Sequence, residues 1–176
     1  MSILVALSDK GTVWIGSDTQ VTDGGTKWLL GPKWSFAPPW TFGVVGSARA
    51  ATVLIHKAPQ VFGVADTIHD VCFNARSALL ADGFRAANGD VPGIPEFDMF
   101  VVRGPHLWWI GDDFSGEAVQ VDLPVAIGSG DAFAFGAMMV AREYGASPEE
   151  ILRAGLRAAM KFSISCGGEE WVHSIL

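Results

Sequence analysis

Met1-Ser2-Ile3-Leu4-Val5-Ala6-Leu7 opens the chain, and Gly16-Ser17-Asp18-Thr19-Gln20 closes the second apolar run after it. The first stretch places a hydroxyl residue directly behind a methionine and follows it with a continuous run of strand-forming side chains. The second ends on an acid, sixteen residues after Ser2. Ser8-Asp9-Lys10-Gly11 lies between the two runs and carries turn chemistry, so residues 3–7 and 12–16 read as a β-hairpin. If Met1 is removed, Ser2 holds a hydroxyl and a free α-amine on one residue, a nucleophile beside its own base.

The bulk properties narrow what such a terminus can serve. At 176 residues the chain is one domain, 1–176, long enough to bury a sizeable core. It is 49% hydrophobic and only 18% charged, which favours a multilayer fold, a large subunit interface, or both. A net charge of −7 without basic clusters argues against nucleic acid, whose binding depends on displacing phosphate counterions, and against a charged membrane surface. The N-terminal apolar run lacks a basic leader and stops by Ser8-Asp9-Lys10. It reads as neither signal peptide nor membrane span, and the expectation is a cytoplasmic protein.

Cys72 and Cys166 form no metal-ligand spacing and fit reduced thiols of a cytosolic chain. His56, His69, His106 and His173 are scattered and read as structural. Neither a metal nor a cofactor is expected. Gly128-Ser129-Gly130 before a helix is also a phosphate-binding pattern, but Phe133 stands where G-x-G-x-x-G needs glycine and no P-loop lysine follows.

Further along, Asp23-Gly24-Gly25 marks a turn. Trp28-Leu29-Leu30 and Trp34-Ser35-Phe36 flank Gly31-Pro32-Lys33, and Pro38-Pro39 breaks the chain before a buried strand over Thr41–Gly46. Helical patterns cover Ala48–Ala58, stopping before Pro59, and roughly Asp66–Ala87, ended by Asn88-Gly89-Asp90 and Pro92-Gly93. Strands resume at Phe97–Val102, Leu107–Ile110, Ala118–Val121 and Val125–Ile127. A helix over Ala132–Tyr144 ends at Gly145. Ser147-Pro148-Glu149-Glu150 opens the next helix as a capping box with proline at the first helical position, and that helix runs to Phe162. Trp171–Ile175 supplies a last strand. Runs of strands alternating with runs of helices predict α+β. Two antiparallel sheets face to face with a helical layer outside each, a four-layer αββα sandwich, would absorb this much apolar sequence.

Taken together, a hydroxyl residue behind a removable Met, GSDTQVTDGG, Lys33, VVGSARAA, AIGSGDAFAFGAMM and a terminal helix before Gly-Gly resemble the proteasome β-subunit family, and HslV peptidases above all. The resemblance spans nearly the whole chain. It implies the αββα fold of N-terminal-nucleophile hydrolases, with Ser2 in place of the family's N-terminal threonine. It also implies Asp18 as the acid ending the second strand, Lys33 as the buried lysine, Gly46 as the backbone donor of the oxyanion hole, and Ser129 as the serine beside the terminal amine. The expected activity is endopeptidase cleavage of unfolded protein or peptide. The expected assembly is a homo-oligomeric ring or stacked rings, served by a separate AAA+ ATPase unfoldase.

The chemistry asks for these residue types. A serine hydroxyl needs a base to take its proton. An α-amine with a pKa of about 7.7–8.0 is that base near neutrality, and a nearby Lys33 cation would depress it further. Asp18 would keep the buried lysine paired. A fixed donor for the oxyanion is worth roughly 3–4 kcal/mol in enzymes where one has been removed. This sequence departs from the family in three places. Serine lacks the methyl that restricts rotation about the side chain. The stretch before Lys33 is one residue shorter. Ser163 and Cys166 precede Gly167-Gly168 where proteasome subunits carry an acid and then a serine. Two other readings stay open: a ring subunit that kept the fold without activity, and a small-molecule amidase of the wider N-terminal-nucleophile class.

Overall fold

The computed structural model describes residues 2–23, 26–29, 31–84 and 96–175. Within them the chain forms β1 (Ile3–Asp9), β2 (Thr12–Ser17), β3 (Gln20–Asp23), β4 (Thr26–Leu29), β5 (Trp34–Ala37) and β6 (Trp40–Gly46), then α1 (Ala48–His56), α2 (Ala58–Val61) and α3 (Ile68–Ala81). There follow β7 (Phe97–Arg103), β8 (His106–Ile110), β9 (Gly116–Ala118), β10 (Val125–Gly128), α4 (Asp131–Glu143), α5 (Pro148–Phe162) and β11 (Trp171–Ile175). Every strand pairing is antiparallel.

β1 is the strand the rest is built upon. Ile3, Leu4, Val5 and Ala6 are all fully buried, so both faces of the strand are covered. Its turn to β2 is the two-residue Lys10-Gly11, both at positive φ, which matches the right-handed twist of the strands it joins. β1 and β2 are central in a sheet ordered β10-β1-β2-β11. A second sheet runs β5-β6-β7-β8-β9, and β3-β4 forms a separate two-stranded ribbon.

Because side chains alternate along a strand, β1 feeds two cores. Ile3, Val5 and Leu7 pack with Met138 of α4 and Leu152 and Leu156 of α5. Leu4 and Ala6 pack instead with Val13, Ile15, Val45, Phe100 and Val102, drawn from both sheets. A third core joins the outer side of the five-stranded sheet to α1, α2 and α3, with Phe42 and Phe62 stacked at 4.2 Å.

Several boundaries differ from the sequence expectations. Pro38-Pro39 is the two-residue turn joining β5 to β6, with Ala37 opposite Trp40, rather than a break. α1 ends at His56 and Pro59 falls in the first turn of α2, where a missing N–H costs nothing. The long helix starts at Ile68 and ends at Ala81, not over 66–87. A Thr67–Asp70 capping box sets its start. The strand expected at 118–121 lies at Gly116–Ala118, because pairing to Trp108–Ile110 selects the register. The Ser147–Glu150 capping box forms with both reciprocal bonds. Asn88-Gly89-Asp90 and Pro92-Gly93, like Gly24-Gly25, lie outside the described residues.

Candidate active site

Ser2 precedes β1 and is buried at 7% exposure, while its carbonyl is held by the Ser129 N–H at 3.0 Å and Oγ at 3.3 Å. Gly128, at φ +109°, makes that approach feasible: a Cβ there would stand 2.2 Å from the Ser2 oxygen. β10 thus ends by clasping the start of β1. Met1 lies outside the described residues.

Asp18 follows β2 and is fully buried. Its Oδ1 accepts the Ile3 N–H at 3.2 Å and also the Lys33 ammonium, and its Oδ2 accepts the Gly167 N–H at 2.9 Å. Three donors of different origin therefore converge on one carboxylate, as a buried charge requires. The lysine donates a second bond to the Asp18 carbonyl at 2.7 Å, and Ser17 Oγ receives the Lys33 backbone N–H at 3.0 Å. Burial holds the Lys33 ammonium below the usual lysine range, and the charge of Asp18 opposes that shift without cancelling it.

Gly46 closes β6 at φ +93°. A Cβ there would lie 2.6 Å from the Glu96 carbonyl oxygen. Ser47 N–H donates to that same oxygen at 3.1 Å, which makes Ser47 and Glu96 the bonded pair. Alternation along the strand then turns the Gly46 N–H away from β7. It faces the side where Val44 N–H meets the Lys33 carbonyl at 3.2 Å.

Ser2, Lys33 and Gly46 line one cleft of about 580 Å³, with Val21 and Thr22 of β3 on one wall and α1 on the other. Asp18 stands behind Lys33, and Ser129 behind the Ser2 carbonyl. All five residues singled out in the sequence are thus connected, three on the cleft surface and two as their immediate supports. Arg49, Thr19 and Gly167 belong with them. Arg49 lines the same cleft, its guanidinium donating to the Asp82 carbonyl at 2.6 Å. Gly167 and Thr19 tie the C-terminal turn to the Asp18 stretch: the Gly167 carbonyl receives Thr19 and Gln20 N–H at 3.3 and 3.0 Å. Thr19 Oγ1 receives the Glu169 N–H at 2.9 Å. Nothing local in the sequence marks these bonds, since their partners lie about 150 residues apart.

Cys166 sits with its Sγ 3.7 Å from Ser129 Oγ. Burial pushes the thiol pKa up, so the group stays neutral and behaves as packing. No grouping of three or more histidine, cysteine or acidic side chains suited to a metal occurs among the described residues. No helix among them is long and apolar enough to cross a membrane.

No family model matches the chain, and no curated protein does so. Solved structures do. BPH from Thiobacillus denitrificans superposes with a TM-score of 0.79 at 19% identity, over 98% of this chain and 97% of that one. HslV from Trypanosoma brucei gives 0.69 at 22% identity, over 98% of both chains. An Anbu mutant from Hyphomicrobium sp. strain MC1 gives 0.71 at 12% identity, over 98% of this chain and 80% of that one. The fold is HslV-like. Each superposition takes in 98% of this chain, so the elements that carry the cleft lie almost wholly within the matched length.

Proposed function

We propose that the chain is a proteasome/HslV-like endopeptidase subunit whose nucleophile is Ser2, exposed by removal of Met1, and which works in a ring-type homo-oligomer. The observation that carries this reading is the cleft shared by Ser2, Lys33 and Gly46, with the Asp18 carboxylate buried behind the lysine. We read the three cores as the interfaces of an αββα sandwich, the first between α4–α5 and one sheet, the second between sheets, the third under α1–α3.

In this mechanism Ser2 Oγ attacks the scissile carbonyl and its proton passes to the Ser2 α-amine. The Lys33 cation keeps that amine unprotonated near neutral pH by disfavouring a second positive charge. Asp18 holds the lysine; Ser129 fixes the Ser2 carbonyl and with it the direction of the terminus. The tetrahedral oxyanion takes the Gly46 N–H. The amine then gives its proton to the leaving nitrogen, an acyl ester on Ser2 remains, and water activated by the same amine releases it. Substrates are unfolded protein or peptide, with a separate AAA+ unfoldase as the partner for folded proteins.

One similar structure is BPH from Thiobacillus denitrificans in complex with epoxomicin, at 17% identity and a TM-score of 0.78. Epoxomicin is therefore the probe. Intact mass should show loss of Met1 and a single adduct on the Ser2 peptide, abolished by Ser2→Ala. Retention of Met1 with no adduct would sink the peptidase reading and favour an inactive structural ring subunit. Serine in place of threonine at position 2, and Ser163 and Cys166 where proteasome subunits carry an acid and a serine, are the features that favour that second reading. Turnover of short acyl amides with none of casein would point instead to a small-molecule amidase.

A further inference from the structure

The cleft that holds Ser2 is charged oppositely to the molecule around it. The chain carries a net charge of −7. Yet among the described residues lining this cleft the charged side chains are Lys33 and Arg49, and none is an acid. Lys33 is neutralised by Asp18, which lies fully buried behind it. Arg49 is the cation left over.

α1 builds the wall on which Arg49 stands. Ala48, Ala51, Thr52 and Ile55 recur at helical spacing along the cleft, and Arg49 flanks that stripe as the charged group of an otherwise neutral wall. The helix also starts at the cleft, from its cap Ser47, with no acid in its first turn. The partial positive charge of its N-terminus therefore adds to that of Arg49.

The Arg49 guanidinium is anchored without being neutralised. It donates to the Asp82 carbonyl at 2.6 Å and lies 4.4 Å from the centre of the Phe84 ring. Neither contact cancels its charge. The Asp82 carboxylate stands 3.5 Å from Arg49 and 3.9 Å from Lys57, so one acid is shared by two cations. The Arg49 side chain is 61% exposed, and an ion pair so open to water contributes little. A carboxylate entering the cleft thus meets a guanidinium already ordered, whose fork of N–H donors matches both its oxygens. Ordering in advance lowers the entropic cost of binding.

We propose that Arg49 makes this cleft select acidic peptide segments, an Asp or Glu side chain of the substrate pairing with the guanidinium while neighbouring apolar residues lie along α1. The negative charge of the whole chain repels strongly acidic partners at longer range, so one acid set among apolar residues fits better than a run of acids. This inference names the substrate class of the site proposed above, and it rests on that reading for cleavage but not for binding.

The test separates the two. Full-length chain carrying Ser2→Ala is titrated against dye-labelled, largely apolar peptides in which one position holds Glu, Gln or Lys in turn, and that position is walked along the sequence. Anisotropy reads the affinity. At one position Glu should bind about 10-fold tighter than Gln, with Lys weakest. Arg49→Gln should level the three, and Arg49→Glu should place Lys first, whereas loss of a merely structural arginine would weaken all three alike. Arg49→Lys keeps the charge and should retain part of the preference. Equal affinity for Glu and Gln at every position, a Glu preference that survives Arg49→Glu, or binding of none of the peptides would each overturn the proposal. Chain with Ser2 intact then reads cleavage of the same peptides. Hydrolysis without a Glu preference fails this inference and keeps the peptidase reading; Glu-selective binding without hydrolysis keeps the role of Arg49 and fails the peptidase reading.

Discussion

Asp18 concentrates the electrostatics of the site, because one buried carboxylate receives Lys33, Ile3 N–H and Gly167 N–H. Asparagine keeps the shape but offers one acceptor and turns its amide toward one of those donors. Asp18→Asn should therefore cost about 3–5 kcal/mol, the range for a broken buried ion pair, measured by urea unfolding. Labelling at Ser2 should fall with it. The lysine makes a separate pH prediction. Its folded pKa lies below the ordinary lysine value, so between the two values the unfolded chain binds more protons and stability rises with pH. Labelling should level off rather than rise on the alkaline side of that window, since the terminal amine, with an ordinary pKa of about 7.7–8.0, is already unprotonated there. Parallel pH profiles of unfolding and of labelling rate should diverge on the alkaline side; a common fall of both would refute the assignment. In the sequence Asp18 and Lys33 are marked only by the resemblance to the proteasome β-subunit family, not by a local pattern. Gly167 could not be assigned a role, since its bond to Asp18 spans 149 positions.

At the scale of single elements, β1 and α5 show two ways in which local sequence specifies structure. β1 is an unbroken apolar run, and both faces are buried because each meets a different core. Leu4 rests against Gly43 of β6, where an added Cβ would come within 3.0 Å of it. Leu4→Ala should cost about 2–5 kcal/mol and loosen the packing of the two sheets, which near-ultraviolet circular dichroism and thermal unfolding would report. α5 is specified by its first turn. Ser147→Ala removes the cap on Glu150 N–H and should lower stability by about 1 kcal/mol. The Glu150 carboxyl is held below its ordinary pKa, first by the Ser147 hydroxyl and then by its N–H. That contribution is present above the unfolded glutamate pKa and is lost as pH falls through the folded value. The difference between wild type and Ser147→Ala should accordingly shrink in acid. Where the expected elements slipped, at β9 and at the start of α3, the deciding contacts were a cross-strand register and a Thr–Asp cap, one invisible locally and one overlooked.

For the molecule as a whole, the apolar excess of the composition is only partly absorbed by the three cores. Trp28, Leu29, Phe133, Phe135, Val140, Tyr144, Phe162 and Ile164 remain exposed in the isolated chain. Covering such side chains by assembly stabilises the folded form by mass action, so the midpoint of thermal unfolding should rise with protein concentration. A midpoint unchanged over a hundredfold range of concentration would count against an assembled state.

By itself the sequence determined the order and type of nearly every element, the hairpin at Lys10-Gly11 and the capping box at Ser147. Those features rest on contacts between near neighbours, whose periodicity and turn chemistry are written locally. Only the tertiary structure decided that β10 clasps Ser2 through Gly128 and Ser129, that Gly167 completes the shell of Asp18, and that the Gly46 N–H is turned away from β7. Each depends on backbone groups brought together from distant parts of the chain, and a backbone N–H carries no side-chain signature by which its partner could be foreseen.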